Sequence, residues 1–285
     1  MVQVLHKNEY FDDFPIVVAK REPQPPFPCH RHQFSELVIV TGGSGLHIIR
    51  GNPFPISAGD VFVISDNAPH EYSEMNGLAL VNILYDPKEL GIINWDLRDL
   101  PGYHALFNLE PRYRKQHNFE SRLRLNRNDL AVLQRLLDRL DVELNRRKPG
   151  FRLLATARFM EMITFLSRAY STSQISESRE LLLIGKAIAY IEEHYDQDID
   201  LDSLANIAHM SRRSFSRAFR KAMNMSAMEH LIRLRIAKAG NLLRRTDISV
   251  TEVAFAVGFG DSNYFTRQFR NITGQSPREY RKKAL

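Results

Sequence analysis

The chain has 285 residues, of which 44% are hydrophobic and 25% charged, a composition typical of a globular protein with room for two domains. Its single cysteine, Cys29, excludes a disulfide framework within the chain and favours a reducing compartment. Because no apolar run approaches about 18 residues and the N-terminus lacks a signal-peptide pattern, we expect a cytoplasmic protein with no membrane partner.

The charge is distributed unevenly along the chain. The segment 203–285 holds 16 Lys and Arg against 5 Asp and Glu, a net charge of +11, whereas the other 202 residues carry −5. A basic segment of this kind indicates either a polyanionic partner, most simply nucleic acid, or a solvated surface with no partner.

The first 86 residues have the pattern of a β-rich domain. Short apolar runs such as SELVIV, DVFVIS and ALVNILY alternate with turn clusters such as TGGSG, GNPFP and SAGD. Many short strands with Gly- and Pro-containing turns predict a sandwich or a barrel. The same region carries His30, His32 and Glu36 in a His-x-His-x-x-x-Glu pattern, which raises the question of a metal site.

Helical periodicity begins near Asn128, which we predict to cap the helix. An apolar stripe at spacings of three and four predicts one amphipathic helix, ended by KPG, and a second helix follows over about 151–170. The stripe consists of Leu130, Leu133, Leu137, Leu140 and Leu144. It can pack within the chain or form a coiled-coil seam between two chains, and we favour a homodimer.

The polar stretch 171–182 is interpreted as a linker, and the chain after it repeats itself. The segments 214–230 and 264–280 match at an offset of 50, with Phe215/Phe265, Phe219/Phe269 and Arg217/Arg267 among the coinciding pairs. Each copy predicts a helix, a tight turn and a second helix: about 201–208 and 212–223, then about 250–257 and 262–272. Ser211 is the predicted cap of the first copy, and Gly258 and Gly260 are predicted to supply turn flexibility in the second.

The second helix of each copy separates two kinds of side chain. Phenylalanines four residues apart predict the buried face, while arginines and small polar residues lie on the other face. Arg can bind guanine edges or phosphates, Asn can pair with adenine, and Asp can accept from cytosine. Two copies on a strongly basic segment favour double-stranded DNA as the partner over a merely solvated surface. The predicted DNA-binding residues are Arg212, Arg213, Ser216, Arg217, Asp261, Asn263, Thr266 and Arg267.

A long amphipathic helix is predicted between the two copies. About 18 residues at ~1.5 Å each span ~27 Å, which could hold two recognition helices about one DNA turn, ~34 Å, apart.

The stretch DISVTEVAFAVGFGDSNYFTRQFRNITGQSPREYR closely resembles the C-terminal signature of the AraC/XylS family of bacterial transcription regulators, and the resemblance covers about 183–283. The first copy departs from the pattern at Asn224 and Ala227, where the family usually has Gly and Pro; Asn tolerates left-handed geometry and Ala a helix start. The resemblance implies an α+β two-domain chain. It would have a cupin-like β-barrel with flanking helices for effector binding and dimerisation over 1–170, and a helical DNA-binding domain with two helix-turn-helix motifs over 183–285.

The cupin comparison sharpens the histidine question. It implies a third histidine at His70, so that the metal set would be His30, His32, Glu36 and His70, suited to Mn, Fe, Ni or Zn. Gln24, Ser65 and Asn67 stand where metal-dependent cupin enzymes have Gly, Pro and Gly, and no proton-transfer group can be named. We therefore predict no catalytic residues and no required cofactor, with a divalent metal in the pocket as the alternative.

The first half also resembles the rhamnose-responsive regulators of this family, in HRHQFSELVIVTGGSGLHII and DNAPHEY. The resemblance implies that inward-facing polar groups bind a small polyol, with metal binding as the second interpretation and a purely structural polar cluster as the third. The implied effector-binding residues are His30, His32, Glu36, His70, Tyr72 and Asn82. The predicted function is an effector-responsive regulator, with an activator of sugar use favoured and RNA polymerase then a partner. The alternative is a metal-dependent cupin enzyme with an appended DNA-binding domain.

Overall fold

The structure is a computed structural model that describes residues 2–65, 67–91, 96–113, 122–172 and 176–282. It divides into two compact units, 1–185 and 186–285. Within the described ranges no helix is long and apolar enough to cross a membrane.

Over its described residues, the first unit is built on one eight-stranded sheet. The pairing order is β1-β3-β7-β4-β6-β8, with β2 beside β7 and β5 beside β4. The strands are β1 (Gln3–Leu5), β2 (Ile16–Arg21), β3 (His30–His32), β4 (Ser35–Ile49), β5 (Asn52–Ser57), β6 (Asp60–Ile64), β7 (His70–Tyr85) and β8 (Leu123–Arg124).

The expectation of a cupin-like sheet domain is met, but the sheet is not a closed barrel over the described residues. Its pairing path ends at β1 and β8, which pair only with β3 and β6. Apolar alternation along a strand specifies which face is buried, but it does not specify which edge strands meet.

The two long strands β4 and β7 form the centre of this sheet. They pair antiparallel with Glu36 opposite Leu84 and Val38 opposite Asn82, so the polar residues Glu36 and Asn82 share a face with the apolar core. That core consists of residues that are all at most 8% exposed: Val38, Val40, Ile49, Phe54, Ile56, Phe62, Ile64, Ala68, Leu78 and Leu80. A polar site is therefore set at one end of a continuous apolar interior.

The helices of the first unit lie between β1 and β2, between β7 and β8, and after β8. They are α1 (Lys7–Tyr10), α2 (Pro101–Tyr103), a π-helical turn (His104–Leu109), α3 (Glu110–Tyr113), α4 (Arg127–Arg146) and α5 (Phe151–Ser171). The cap of α4 is Asn126, whose side chain accepts from the Asp129 N–H, so the prediction of Asn128 was wrong: Asn128 lies inside the first turn.

The middle of the leucine stripe of α4 is covered within the chain. Leu133 and Leu140 are fully buried, Leu137 is 2% exposed, and α4 packs against α5. Leu133, Leu137 and Leu140 therefore follow the alternative in which the stripe packs within the chain, whereas Leu130 and Leu144 are half-buried. The homodimer stays a prediction.

The predicted linker, 171–182, also differs from the structure. Helix α5 continues to Ser171, and helix α6 already begins at Ser176 and runs to Glu193. Residues 173–175 lie outside the described residues. The start of this helix could not be predicted from hydrophobic periodicity, because its residues before Leu181 are polar.

The second unit has the predicted helical repeat. Its helices are α7 (Leu201–Ile207), α8 (Arg212–Met223), α9 (Ala227–Arg245), α10 (Val250–Ala256), α11 (Ser262–Thr273) and α12 (Pro277–Lys282). Polar side chains of Asp200, Ser211, Ser226, Ser249 and Asp261 cap five of them. The 19 residues of α9 span ~29 Å.

The two turns of the repeat use the same backbone geometry with different residues. His209 and Gly258, 49 residues apart, take left-handed φ values of 49° and 89°. A Cβ at Gly258 would lie 2.8 Å from the backbone of Asp196, so glycine is required there. Gly260 has no left-handed φ and open space around it, so its predicted role in the turn was wrong.

Candidate ligand cavity and nucleic-acid interface

A cavity of about 440 Å³ opens in the sheet of the first unit, and this volume lies within the range of small-molecule sites. Five of the six predicted effector residues line it; the sixth, His70, is fully buried behind them. The lining side chains are Leu5, Tyr10, Val17, Ala19, Arg21, Gln24, Pro25, Phe27, His30, His32, Phe34, Glu36, Tyr72, Asn82 and Leu84.

Strand register brings the polar residues together from distant parts of the sequence. His30 on β3 pairs with His70 on β7, and Tyr72 follows His70 by two residues, so its side chain lies on the same face. Glu36 and Asn82 reach this interior from the neighbouring strands β4 and β7.

Each of the three histidines is oriented by a local hydrogen bond. Nδ1 of His30, His32 and His70 lies 3.0, 2.7 and 3.1 Å from the backbone carbonyl oxygens of Pro28, Phe34 and Ala68. A carbonyl oxygen only accepts, so each Nδ1 carries the proton and donates. In the neutral ring Nε2 then keeps a lone pair.

The carboxylate of Glu36 lies among these rings. Its Oε2 is 3.0 Å from Nε2 of His32 and 3.6 Å from Nε2 of His70. Burial raises the pKa of the Glu36 carboxyl, but the close approach of the His32 and His70 rings outweighs burial and holds this pKa well below its usual range. Burial, reinforced by His70, lowers the pKa of His30 to about 4. The cluster therefore contains a buried anion beside a neutral imidazole at neutral pH.

Three of the four predicted metal ligands form a compact set. One ligand atom each from His30, Glu36 and His70 lies within 4.8 Å of the others, and all three residues are buried. Three ligand atoms about 2.1 Å from one ion in tetrahedral geometry are about 3.4 Å apart, so a cation would draw together atoms that now lie up to 4.8 Å apart. His32 is outside this set and instead contacts the Glu36 carboxylate.

Two amide oxygens of the cavity have unmet hydrogen-bonding capacity. Oε1 of Gln24 and Oδ1 of Asn82 are buried and make no hydrogen bond to the described residues. Asn82 was predicted, but Gln24 was noted only as a departure from the cupin pattern. It lies in a Pro-rich stretch whose irregular backbone gives no periodic signal for an inward side chain.

In the second unit, the phenylalanine and arginine faces of α8 are arranged as predicted. Phe215 and Phe219 are fully buried, whereas Arg213 and Arg217 are exposed on the other face. Ser216 is half-buried, and exposed Arg212 forms an ion pair of 3.3 Å with Asp202.

Helix α11 combines exposed polar groups with groups used inside the helix. Asn263 and Arg267 are exposed. The Asp261 carboxylate accepts from the Tyr264 N–H as the helix cap, and the Thr266 hydroxyl donates to the Ser262 carbonyl at 2.8 Å. Tyr264, not predicted, is 37% exposed and has the Arg267 guanidinium 5.3 Å from its ring centre. The sequence could have indicated Tyr264 as a further candidate DNA-contacting residue, because it is an aromatic residue three positions from the predicted base-reading Arg267 on the same helix.

A ligand cavity in a β-rich unit and two helix-turn-helix motifs in a basic unit define an effector-responsive, DNA-binding transcription regulator. The family model for an AraC-like ligand binding domain matches residues 16–163, and the model for a helix-turn-helix domain matches residues 204–283. The chain belongs to the AraC family.

Three curated relatives match along almost their whole length. The HTH-type transcriptional activator RhaS of Enterobacter sp. strain 638 is 30% identical over 98% of this chain and 96% of its own. The HTH-type transcriptional activator RhaR of Mannheimia succiniciproducens is 30% identical over 100% of this chain and 98% of its own. RhaS of Escherichia fergusonii is 33% identical over 97% of this chain and 96% of its own. The resemblance inferred from the sequence is thereby confirmed at the level of family and domain order.

Proposed function

We propose that the chain activates transcription of sugar-use genes when L-rhamnose or a related monosaccharide fills the cavity of the first unit. The observation that carries this proposal is the pair of buried, unpartnered amide oxygens of Gln24 and Asn82 in a cavity of about 440 Å³. Such acceptors favour a ligand that presents hydroxyl donors, because an unmet buried acceptor costs about 1–3 kcal/mol. The naming of its relatives as RhaS and RhaR supports the same ligand class.

The DNA partner is engaged by α8 and α11. Both helices bury phenylalanines and present arginines, and the segment that contains them carries a net charge of +11. A homodimer would then bring up to four recognition helices to its half-sites. Effector binding would increase the population of the state that binds DNA and contacts RNA polymerase. This regulation would take place in the cytoplasm.

Two measurements on the purified full chain test the proposal. A monosaccharide screen by thermal shift, rhamnose first, is expected to raise the melting temperature of the first unit, since a ligand stabilises by RT ln(1 + [L]/Kd). Binding to DNA from the chain's own upstream region is expected to exceed binding to random duplex and to weaken as salt rises. If no sugar raises the melting temperature, the proposed sugar-sensing role is refuted. If the chain shows no preference between the two duplexes, the proposed sequence-specific DNA binding is refuted.

A second candidate function is a metal-dependent cupin enzyme, favoured by the compact His30–Glu36–His70 set. It requires turnover of a small molecule that is lost with the metal. We place it second, because the curated relatives are named transcriptional activators, and we propose that the chain has no enzymatic activity. Sustained conversion of a sugar by the metal-loaded protein would reverse this order.

A further inference from the structure

With all three histidine rings neutral, the buried groups of the cluster that face one another are all acceptors. The Nδ1 protons of His30, His32 and His70 are all used on backbone carbonyls, so in neutral rings Nε2 is a lone pair. Nε2 of His32 and of His70 are buried without a hydrogen-bond partner among the described residues, although both lie within 3.6 Å of the Glu36 carboxylate. Lone pairs that face one another require a positive charge between them.

A proton and a metal cation satisfy this requirement to different degrees. One added proton on His32 serves a single ring and leaves the buried Nε2 of His70 unpaired. A divalent cation can accept lone pairs from several directions at once. Histidines that donate Nδ1–H to a carbonyl and offer Nε2 are also the usual form of metal-binding histidines, because the outer hydrogen bond fixes the tautomer and the ring direction.

We propose that His30, Glu36 and His70 bind one divalent transition-metal cation, and that hydroxyls of the effector complete its coordination from the cavity. Two imidazoles and one carboxylate suit Zn²⁺ and its first-row neighbours rather than Mg²⁺ or Ca²⁺. His30 and Glu36 both line the cavity, so a cation held by them would be within reach of a sugar bound there.

This inference rests on the proposed function for its effector but not for its metal. Because cation and effector would share a coordination sphere, each is expected to tighten binding of the other by the same factor. The cation would then act as a built-in part of the sensor, and removal of the metal would make the regulator insensitive to its sugar.

The test uses the full chain purified without a His-tag and stripped with a chelator. Titration with Co²⁺, followed by its visible absorption, and with Zn²⁺, followed by calorimetry, is expected to give one site per chain. The conservative variant Glu36→Gln and the variant His70→Asn are expected to weaken it by more than the ~10–100-fold typical of outer hydrogen bonds. The control His209→Asn removes an exposed histidine whose left-handed φ of 49° Asn tolerates, and it should bind the metal normally.

Thermal unfolding of each stripped variant checks that the first unit is folded. No stoichiometric metal in the wild type, or equal binding by folded Glu36→Gln, overturns the cation site. The sugar screen is then repeated with metal and with chelator. Equal sugar responses overturn the shared coordination while the proposed function stands. Metal binding without any sugar response supports the site and refutes the proposed function.

Discussion

His30 and His70 face each other across two paired strands, with ring centres 4.2 Å apart. Burial is the main cost of charging His30, and a second charged imidazole at this distance adds repulsion. This is why the pKa of His30 falls to about 4. The pair therefore ties the stability of the cavity to pH.

The stability of the first unit is expected to fall as the pH drops from about 6.5 to about 5. His30 titrates near 6.5 when unfolded and near 4 when folded, so between these values the unfolded state binds more protons. The measurement is the urea midpoint between pH 7.5 and 5 with chelator present, which removes any contribution from a metal. His30→Asn should flatten the dependence, and His209→Asn should not. An unchanged slope in His30→Asn would contradict the assignment.

Replacement of Asn82 should weaken effector binding without weakening the fold. Its Oδ1 has no protein partner to lose, whereas loss of a hydrogen bond to a sugar hydroxyl corresponds to roughly 5–100-fold in affinity. We expect Asn82→Ala to reduce the sugar-dependent thermal shift and to leave the ligand-free melting temperature nearly unchanged. Asn76→Ala, on an exposed position of the same strand, is the matched control. Equal sugar affinity in the two variants would count against the cavity as the sensor.

Arg217→Ala should weaken specific DNA binding by about 10–100-fold and leave the fold intact, since the side chain is exposed on α8. Fluorescence anisotropy at several salt concentrations distinguishes its two possible contacts. Loss of a phosphate contact lowers the salt slope by about one, whereas loss of a base contact reduces discrimination between duplexes. Arg139→Ala, exposed on α4, is the control. A large drop in melting temperature for Arg217→Ala would mean that the buried and exposed faces are misassigned.

Two glycines of one turn should respond differently to the same change. Gly258→Ala introduces a Cβ at φ 89° and 2.8 Å from the Asp196 backbone, so we expect the second unit to lose about 1–3 kcal/mol. Gly260→Ala meets open space and should stay within about 0.5 kcal/mol of the wild type. Urea unfolding followed by a probe in the second unit measures both. Equal losses would show that Gly258 is not under constraint.

The sequence predicted the parts of this protein that depend on local pattern. The repeat of Phe215 and Phe219 at Phe265 and Phe269 gave the helices, their faces and the cap at Ser211, because helix periodicity and capping are short-range. The burial of Leu133 within its own chain was not predictable, since an apolar stripe has the same pattern whether its partner helix lies in the same chain or in another.

For the ligand cavity, too, the sequence predicted the residues that belong to a local pattern and missed those that only the tertiary fold brings together. His30, His32 and Glu36 lie within seven residues, and family resemblance added His70, Tyr72 and Asn82. Gln24 was missed because only the tertiary fold turns its side chain inward. The helical segment 101–113 was also not predicted, since it is made of three short pieces including a π-helical turn and has no sustained period.

Each histidine of the cluster is anchored to a carbonyl only two residues away in sequence. A hydrogen bond that orients each ring thus lies within its own tripeptide, while Phe27 and Phe34 of the cavity wall pack on the rings of His30 and His32. Substitutions in the wall, at positions such as Ala19 or Arg21, can change which molecule fits without removing these hydrogen bonds. Such a sensor can acquire new ligands through substitutions in the cavity wall while it keeps one preorganised histidine cluster.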